Sequence, residues 1–223
     1  MVMPASHSPS RPVPAWHLGL YSVADAARYS RIPPATVHRW LADHADRPPR
    51  ELISFDEFVT LVFIRELRER HVAMREIRRA ERYLRDHTGH EHPFAHETLW
   101  VMGHDVMVMV PADQLMSANR AGQLAMPGVA HADLLELREL VSGIRGQLGY
   151  RDGRAAVWRP TPKIEAQPAV QFGLTCIEGT RLTTRVLFDV AEAGDSTADI
   201  ARMFEVSEAD VERAVTWERR LAA

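Results

Sequence analysis

Apolar residues at helical spacing dominate the first 90 positions of the chain. Val23 and Ala26 follow a candidate N-cap, Ser22, at the spacing of one helix face. A turn comes next, and Pro34 then opens a second helix, where a missing backbone N–H costs least. The pattern predicts two short helices joined by a tight turn over 22–41.

The second of these helices has distinct inner and outer faces. Val37 and Trp40 lie three residues apart and are predicted to face the core, which turns Thr36, His38 and Arg39 outward. In a helix-turn-helix such an outward face enters the DNA major groove and contacts base edges. The alternative is an αα-hairpin that packs within a core and binds nothing.

The segment after this pair predicts a wing and two longer helices. Asp46–Arg50 is a loop rich in Pro and Arg that leads to a short strand at Ile53. Ser54 and Glu57 form a capping box that starts the third helix, and a fourth is predicted over Met74–His87. Their inward residues are predicted to be Phe58, Leu61, Val62, Ile64 and Leu67 in the third helix, and Ile77, Ala80 and Leu84 in the fourth.

Five arginines follow one face of the fourth predicted helix: Arg75, Arg78, Arg79, Arg82 and Arg85. Glutamates alternate with them, which is typical of a solvated helix face. The same stripe would also serve as a track for DNA phosphates. The sequence leaves both interpretations open.

The order of these elements resembles the DNA-binding domain of MerR-type regulators over Leu20–His87. The resemblance implies that the second helix and the wing contact DNA and that the protein acts as a dimer. The chain departs from the family in having Arg31 where the turn usually has Gly, His38 where the family usually has Arg, and no Gly-Tyr-Arg wing. The DNA-binding candidates are Thr36, His38 and Arg39, with Arg31 at the turn and Arg50 in the wing loop.

A hairpin and another helix are predicted for the middle of the chain. Thr98–Met102 and Asp105–Val110 are β-favouring runs on either side of a Gly103-His104 turn. An apolar stripe then predicts a helix over Asp133–Leu148, whose apolar face is either monomer core or a dimer seam.

Four histidines precede the hairpin, at positions His87, His90, His92 and His96. Neutral imidazole is a common metal ligand, so the cluster raises the hypothesis of a metal site. The spacings match neither one helix face nor a zinc-finger knuckle, and nearby Gly and Pro residues favour a solvated loop. The sequence alone does not decide whether the cluster binds metal.

The last 60 residues predict a short β-element followed by three helices. Asp152-Gly153 indicates a turn with an extended segment after it, and Pro160 and Pro162 mark a domain boundary. The predicted elements are strands over Ala169–Ile177 and Gly179–Thr183, and helices over Thr184–Ala193, Ser196–Phe204 and Ser207–Leu221. Caps are predicted at Ser196 with Asp199 and at Ser207 with Asp210, and the buried set is Ile200, Met203, Phe204, Val211, Ala214, Val215 and Leu221.

This C-terminal part resembles the domain-of-unknown-function family numbered four-three-three over about 168–221. Five residues match its motif, Gly173, Ile177, Gly179, Thr180 and Arg181, and Thr175 stands where the family usually has Pro. The resemblance implies an antitoxin, since such domains are commonly encoded beside a PIN-like RNase toxin. The longer form with a MerR-like front end is similar to Vap-type antitoxins of actinobacteria.

The partner-binding candidates are Gly179, Thr180, Arg181 and Arg185. A PIN-like toxin holds metal with clustered carboxylates, which an inserted Arg181 would neutralise through its bidentate guanidinium. The alternative is that Arg181 pairs within the chain, with Asp189 or Glu178. Acidic residues crowd the first turn of the last helix and would repel phosphate, so protein contact or dimerisation is expected there instead of DNA binding.

Composition limits the class of protein. The 223 residues are 46% hydrophobic and 26% charged, with no apolar run long enough for a bilayer span. The N-terminal Met1–Pro14 lacks the apolar region of a signal peptide, and the single Cys176 excludes an intramolecular disulfide, so a cytoplasmic protein is expected. The predicted domains are a disordered arm (1–17), a MerR-like domain with hairpin (18–110), a helical connector (111–162) and an antitoxin-type domain (163–223).

Charge favours DNA binding by the N-terminal part. Residues 1–90 carry 14 Arg and 11 acidic residues, a net +3, whereas residues 91–223 carry 13 basic and 19 acidic residues, a net −6. No phosphate loop, nucleophile elbow or metal-ligand signature is present in the sequence, so neither an enzyme nor a cofactor is expected.

The expected fold is therefore mainly α with small β-elements, comprising a winged helix-turn-helix domain, a hairpin with a linker helix, and a C-terminal trihelical domain. Two functions are consistent with this expected fold. In the first, the chain is a homodimeric antitoxin that neutralises a PIN-like RNase and represses its own operon at a palindromic site on double-stranded DNA. In the second, it is a MerR-like regulator that responds to a ligand or partner and is unrelated to a toxin.

Overall fold

The computed structural model describes residues 19–42, 52–69, 73–96, 99–102, 105–110, 114–117, 123–124, 143 and 146–222, and within them the chain is mostly helical with small antiparallel sheets, as expected. The helices are α1 (Val23–Ser30), α2 (Pro34–Ala42), α3 (Phe55–Glu69), α4 (Met74–Thr88), α5 (Thr184–Glu192), α6 (Thr197–Phe204) and α7 (Glu208–Ala222). The strands are β1 (Gly19–Tyr21), β2 (Ile53–Ser54), β3 (Leu99–Met102), β4 (Asp105–Val110), β5 (Gln114–Ser117), β6 (Gln123–Leu124), β7 (Leu148–Arg151), β8 (Arg154–Thr161), β9 (Ile164–Ala166) and β10 (Cys176–Ile177). No helix in this part of the chain is both long and apolar enough to cross a lipid bilayer.

Several predictions fall elsewhere in the chain. The N-terminal arm, the wing loop with Arg50, the Gly103-His104 turn and most of the helix predicted over Asp133–Leu148 lie outside the described residues.

The two-helix pair is built by local caps. The Ser22 hydroxyl accepts the Asp25 N–H at 3.1 Å, and the Asp25 carboxylate accepts the Ser22 N–H at 3.2 Å. This capping box satisfies two of the free donors at the start of α1. Helix α1 ends where Arg31 adopts a left-handed φ of 53°, and the buried Ile32 anchors the turn into α2. The predicted pair of helices is confirmed.

The third predicted helix also starts at a capping box. The Ser54 N–H donates to the Glu57 carboxylate at 2.7 Å, and the Glu57 N–H donates to the Ser54 hydroxyl at 3.3 Å. Every residue predicted to face inward from α3 and α4 is buried. The short strand predicted at Ile53 is β2, and its antiparallel partner is β1, which the sequence pattern missed because three residues show no periodicity.

The predicted hairpin is the beginning of a four-stranded sheet. Strands β3 and β4 pair antiparallel, with Met102 opposite Asp105, as the turn at Gly103-His104 predicted. Strands β5 and β6 extend this sheet in the order β3-β4-β5-β6. They are only four and two residues long, which is too short for an alternating pattern to stand out.

A second four-stranded sheet, in the order β10-β9-β8-β7, joins the middle of the chain to its C-terminal part. Asp152 and Gly153 have φ of 53° and 73°, as a tight hairpin turn with two left-handed residues requires. The prediction that a helix continues to Leu148 is wrong, because this residue begins β7 and pairs with Trp158. The glycines at 146 and 149 weaken a helix here. The boundary predicted at residue 162 falls between β8 and β9 of this one sheet.

The strands predicted over Ala169–Ile177 and Gly179–Thr183 are mostly wrong. The first segment contains a 3-10 turn at Gln171–Gly173, and only Cys176–Ile177 pairs as a strand. The second is a turn closed by the Thr180 N–H on the Ile177 carbonyl. Left-handed glycines at 173 and 179 interrupt both segments.

The three C-terminal helices form as predicted. Ser196 caps α6 and Ser207 caps α7, each through a hydroxyl that accepts the N–H three residues later, at 3.1 Å. Of the predicted buried set, Met203 is wrong, since it is 60% exposed, and Phe204, Val215 and Leu221 are only half-buried. The buried residues of α6 are Ile200 and Ala201, and Met203 faces solvent.

Both ends of the chain share one hydrophobic core. Trp158 of β8 is 1% exposed, and its ring centroid lies 4.9 Å from that of Phe58, 6.1 Å from that of Tyr29 and 5.8 Å from that of Trp217. We call these four residues the aromatic seam. They join α1 and α3 to β8 and α7, whereas the three C-terminal helices also pack around a second cluster of their own, which includes Leu187, Ile200 and Val211.

Candidate functional site

The outer face of α2 is placed as the sequence predicted. Val37 is fully buried and fixes the helix orientation, while His38 and Arg39 are exposed and Thr36 is half-buried. Arg31 is also exposed and forms the left-handed C-cap of α1, so its side chain stands at the turn between the two helices. These four residues therefore lie along one helix and the turn before it.

Helix α4 brings further arginines to this face. Burial lowers the pKa of Arg78, and the positive charges of Arg39 and Arg82 lower it further, while Glu81 opposes them. Arg39 of α2 and Arg82 of α4 both act electrostatically on Arg78, and we call these three residues the arginine cluster. The sequence does not reveal this interaction, because Arg39 and Arg78 lie on separate helices that are far apart in the chain.

Glu81 is the buried acid of α4. Its side chain is 4% exposed and lies 3.7 Å from the guanidinium of Arg85. Burial raises the pKa of Glu81 to about 7, although Arg85 and Arg78 both lower it.

The raised pKa of Glu81 contributes a loss of stability as the pH rises. Below the ordinary value of 4.5 the carboxyl is protonated in both states, and between 4.5 and about 7 the unfolded chain loses the proton first. The contribution of Glu81 to the free energy of unfolding should therefore fall over this range, by on the order of 3 kcal/mol at most, since one pKa unit corresponds to about 1.4 kcal/mol. The lowered pKa of His96 acts in the opposite direction over part of the range. Glu81→Gln removes the falling contribution, so in urea unfolding at pH 5, 6, 7 and 8 its stability should rise more with pH than that of Asp86→Asn on the same helix, and equal slopes would contradict the assignment.

Three of the partner-binding candidates, Gly179–Arg181, form a tight turn held by hydrogen bonds, and we call this segment the partner turn. Gly179 has a φ of 75°, and its N–H donates to the Glu165 carboxylate at 3.1 Å. The Thr180 hydroxyl donates to the Ile177 carbonyl at 2.9 Å and accepts the Leu182 N–H at 3.0 Å. Gly179 and Thr180 therefore shape the turn, and the side chain of Arg181 stands exposed at its end.

The two internal partners considered for Arg181 are engaged elsewhere. Glu178 lies 3.0 Å from Lys163, and Asp189 lies 2.8 Å from Arg185. The Lys163 ammonium, which donates to Glu178, lowers the pKa of that carboxyl. Within the described residues the Arg181 guanidinium has no ion pair, so the internal-pairing alternative is wrong, whereas Arg185 is held by Asp189.

A polar junction ties α1 to the C-terminal module. The Glu218 side chain is 1% exposed and accepts a hydrogen bond from Arg28 at 2.7 Å. Its other oxygen accepts from the Thr184 hydroxyl, which also lies 2.7 Å from the Thr175 hydroxyl. Sequence reasoning missed this junction because Arg28 and Glu218 are 190 positions apart.

An open cavity of about 340 Å³ lies beside this junction. Its lining comprises Asp25, Arg28, Tyr29, Leu174, Thr175, Thr183 and Arg185. The cavity is therefore bounded by α1 on one side and by the start of α5 on the other.

The histidine segment is packed and does not form the expected solvated loop. His92 is buried together with Phe94 and Ala95, and the rings of His90 and His96 stack with centroids 3.6 Å apart. Burial, together with the nearby His90 and Arg154, lowers the pKa of His96 to about 4. No group of three acidic, His or Cys residues that could hold a metal occurs in the described part of the chain, which does not include the His87 side chain.

Comparison with known proteins identifies a family for part of the chain. Residues 164–217 match a family described as protein of unknown function, DUF433. This match confirms the resemblance predicted for the C-terminal part, which includes the partner turn. Among the curated proteins none matches the chain. The resemblance of residues 20–87 to MerR-type regulators stays a prediction.

The fold is similar to a solved structure over nearly its whole length. The X-ray crystal structure of Rv2018 from Mycobacterium tuberculosis superimposes with a TM-score of 0.66 at 18% sequence identity. The similarity covers 90% of this chain and 99% of that chain. At this identity the likeness extends to the fold alone.

Proposed function

We propose that the chain is the antitoxin of a type II toxin–antitoxin pair in the cytoplasm. In this proposal its C-terminal module binds and neutralises a PIN-like RNase, and its N-terminal part represses its own operon as a homodimer. The N-terminal part acts as a MerR-like winged helix-turn-helix. The chain itself carries out no catalysis.

The DNA-binding part of the proposal rests on one observation, the arginine cluster together with the exposed side of α2. His38 and Arg39 are exposed and Thr36 is half-buried on α2, and side chains of these types can contact base edges in the major groove. The charge of Arg39 acts on Arg78 of α4 together with that of Arg82, so the two helices supply positive potential that would attract phosphates. A face that served only to pack would not keep these charges together.

The exposed Arg181 supports the toxin-binding half. Domains similar to residues 164–217 are commonly encoded beside a PIN-like RNase, whose metal site is built from clustered carboxylates. Arg181 projects from a rigid turn without an ion pair among the described residues, so its guanidinium is free to meet a carboxylate. A preformed turn also loses little conformational entropy on binding.

A ligand-responsive regulator is the second candidate. The cavity of about 340 Å³ between α1 and α5 favours it, because a small molecule bound there would contact both the helix-turn-helix and the C-terminal module. The neighbouring gene discriminates between the two functions. A PIN-like gene supports the antitoxin, and an inducible metabolic or efflux operon supports the regulator.

Co-expression with the product of the neighbouring gene tests the proposal directly. We expect a stable complex in a pull-down and loss of RNase activity when the two proteins are mixed. Recovery of no partner would overturn the antitoxin proposal. Light scattering after size exclusion tests the homodimer.

The recognition face gives a sharp prediction for DNA binding. Arg39→Ala should weaken binding to the operator by about 5- to 150-fold, the range expected for one specific contact of about 1–3 kcal/mol. The fold should be unaffected, because Arg39 is exposed. A gel-shift titration with the DNA upstream of the gene measures the change. Arg202→Ala, which removes an exposed arginine from α6, is the matched control, and an Arg39→Ala protein that binds as tightly as this control would show that α2 is not the recognition helix.

A further inference from the structure

The loop Gln171–Gly173 has an unusual backbone, and we call it the docking loop. Its three residues have φ of 45°, 54° and 80° in succession. The first two are not glycine, so their side chains are held in a conformation that L-residues adopt at an energetic cost. Strain of this kind persists only where the surrounding structure enforces it, and it concentrates at functional positions.

Contacts on both sides enforce this backbone. The Tyr21 hydroxyl, which is buried, donates to the Gly173 carbonyl at 2.8 Å. A Cβ at position 173 would come within 2.8 Å of the Tyr21 ring carbon Cζ, so only glycine fits there. The Gln171 side-chain amide donates to the Arg181 carbonyl at 2.9 Å. The docking loop is therefore rigid and is tied directly to the partner turn.

The loop presents an aromatic side chain to solvent. Phe172 is 76% exposed, more than any other large hydrophobic residue in the described part of the chain, and Leu174 beside it is 37% exposed. Exposure of an aromatic ring to water is unfavourable, and here it is combined with a strained backbone. Large aromatic side chains with few rotamers are the residues that most often dominate binding energy in protein interfaces.

Charge next to the loop indicates the kind of partner. The Gln171 amide bonds to the backbone carbonyl of Arg181, so the docking loop adjoins the turn whose exposed arginine has no ion pair among the described residues. An apolar anchor next to an unneutralised cation is complementary to an apolar socket with a carboxylate at its rim. The acidic residues nearest in sequence to this turn are paired with other cations, Glu178 with Lys163 and Asp189 with Arg185.

We infer that Phe172 is the anchor of the toxin-binding surface, inserting into an apolar socket on the RNase while Arg181 pairs with a carboxylate at the rim of that socket. This inference rests on the proposed antitoxin function. It adds Phe172, which lies outside the partner turn, to the residues proposed to bind the RNase. It also accounts for the strain and exposure of the docking loop.

The test uses the full-length chain and the purified PIN-like RNase encoded beside it. Phe172→Ala should weaken the complex by about 30-fold or more, the loss typical of an anchor residue in an interface. Met203→Ala, which removes a similarly exposed apolar side chain from α6, should bind like the parent. Arg181→Glu should also weaken the complex, and more strongly at low salt, as expected for an ion pair at the rim.

A second variant separates binding from folding. Phe172→Gly removes the ring and relieves the left-handed strain, so it should raise the melting temperature by about 2–4 °C while losing the RNase. A residue with a merely structural role would lower the melting temperature instead.

The outcomes distinguish the two proposals. If the parent binds the RNase and Phe172→Ala binds equally well, the docking inference is overturned and the antitoxin function stands. If the parent binds no RNase, both are overturned. If light scattering shows that Phe172→Ala disrupts the dimer while RNase binding is retained, the loop joins two copies of this chain and the inference is also overturned.

Discussion

Trp158→Ala is expected to lower the free energy of unfolding by about 3–5 kcal/mol, the usual cost of truncating a buried tryptophan. Trp158 is central to the aromatic seam and is almost completely buried. Its removal would leave a cavity between α3, which carries Phe58, and α7, which carries Trp217. Urea unfolding followed by far-UV circular dichroism measures the loss.

Trp158→Phe is the control for this prediction. Its ring would keep most of the contacts, and it would remove an indole N–H that has no hydrogen-bond acceptor among the described residues. We expect its cost to be well under half that of the alanine variant. Because the seam joins both ends of the chain, the helical signal should be lost in one transition. Two separate transitions, with only one of them moved by Trp158→Ala, would contradict a shared core.

Arg154→Ala is expected to be nearly as severe, at about 3–5 kcal/mol, since it leaves a buried carboxylate without its cation. Asp56 is completely buried near the start of α3, and its carboxylate accepts two hydrogen bonds from the Arg154 guanidinium of β8, one of them 3.0 Å long. The positive end of the helix dipole at α3 offsets part of the loss. Thermal and urea unfolding give the magnitude.

A double-mutant cycle identifies the cause of that loss. Arg154→Ala combined with Asp56→Asn removes the uncompensated charge, so the double variant should be more stable than the sum of the two single losses predicts. Arg151→Ala is the matched control on the neighbouring strand, where the arginine is exposed, and it should change stability by less than about 0.5 kcal/mol. Additive losses would contradict the buried ion pair.

The helix starts were the most predictable part of the fold. Ser22, Ser54, Ser196 and Ser207 each cap a helix with an acidic residue three positions later. These interactions span three residues, so the local sequence specifies them fully. The short strands were not predictable, because β1 and β9 have three residues each and their pairing depends on segments far away in the chain.

The candidate sites were predictable to a similar extent. Because Val37 faces the core, the helical spacing alone places His38 and Arg39 on the outside of α2. The arginine cluster depends on where α4 lies relative to α2, and the helical spacing of apolar residues does not specify that position. Phe172 was missed for a further reason, since an aromatic residue near a strand-like segment is normally a core residue. Only its left-handed backbone and its exposure reveal otherwise.

The aromatic seam also limits how such a protein can diversify. A recombination event that joined a new N-terminal unit to residues 164–217 would leave Trp217 without Trp158, and so with apolar surface facing water. The halves are therefore poor candidates for exchange as separate cassettes. Within the proposed antitoxin function, new operator or toxin preferences should arise instead through point substitutions at exposed positions such as His38 and Phe172, where the seam is undisturbed.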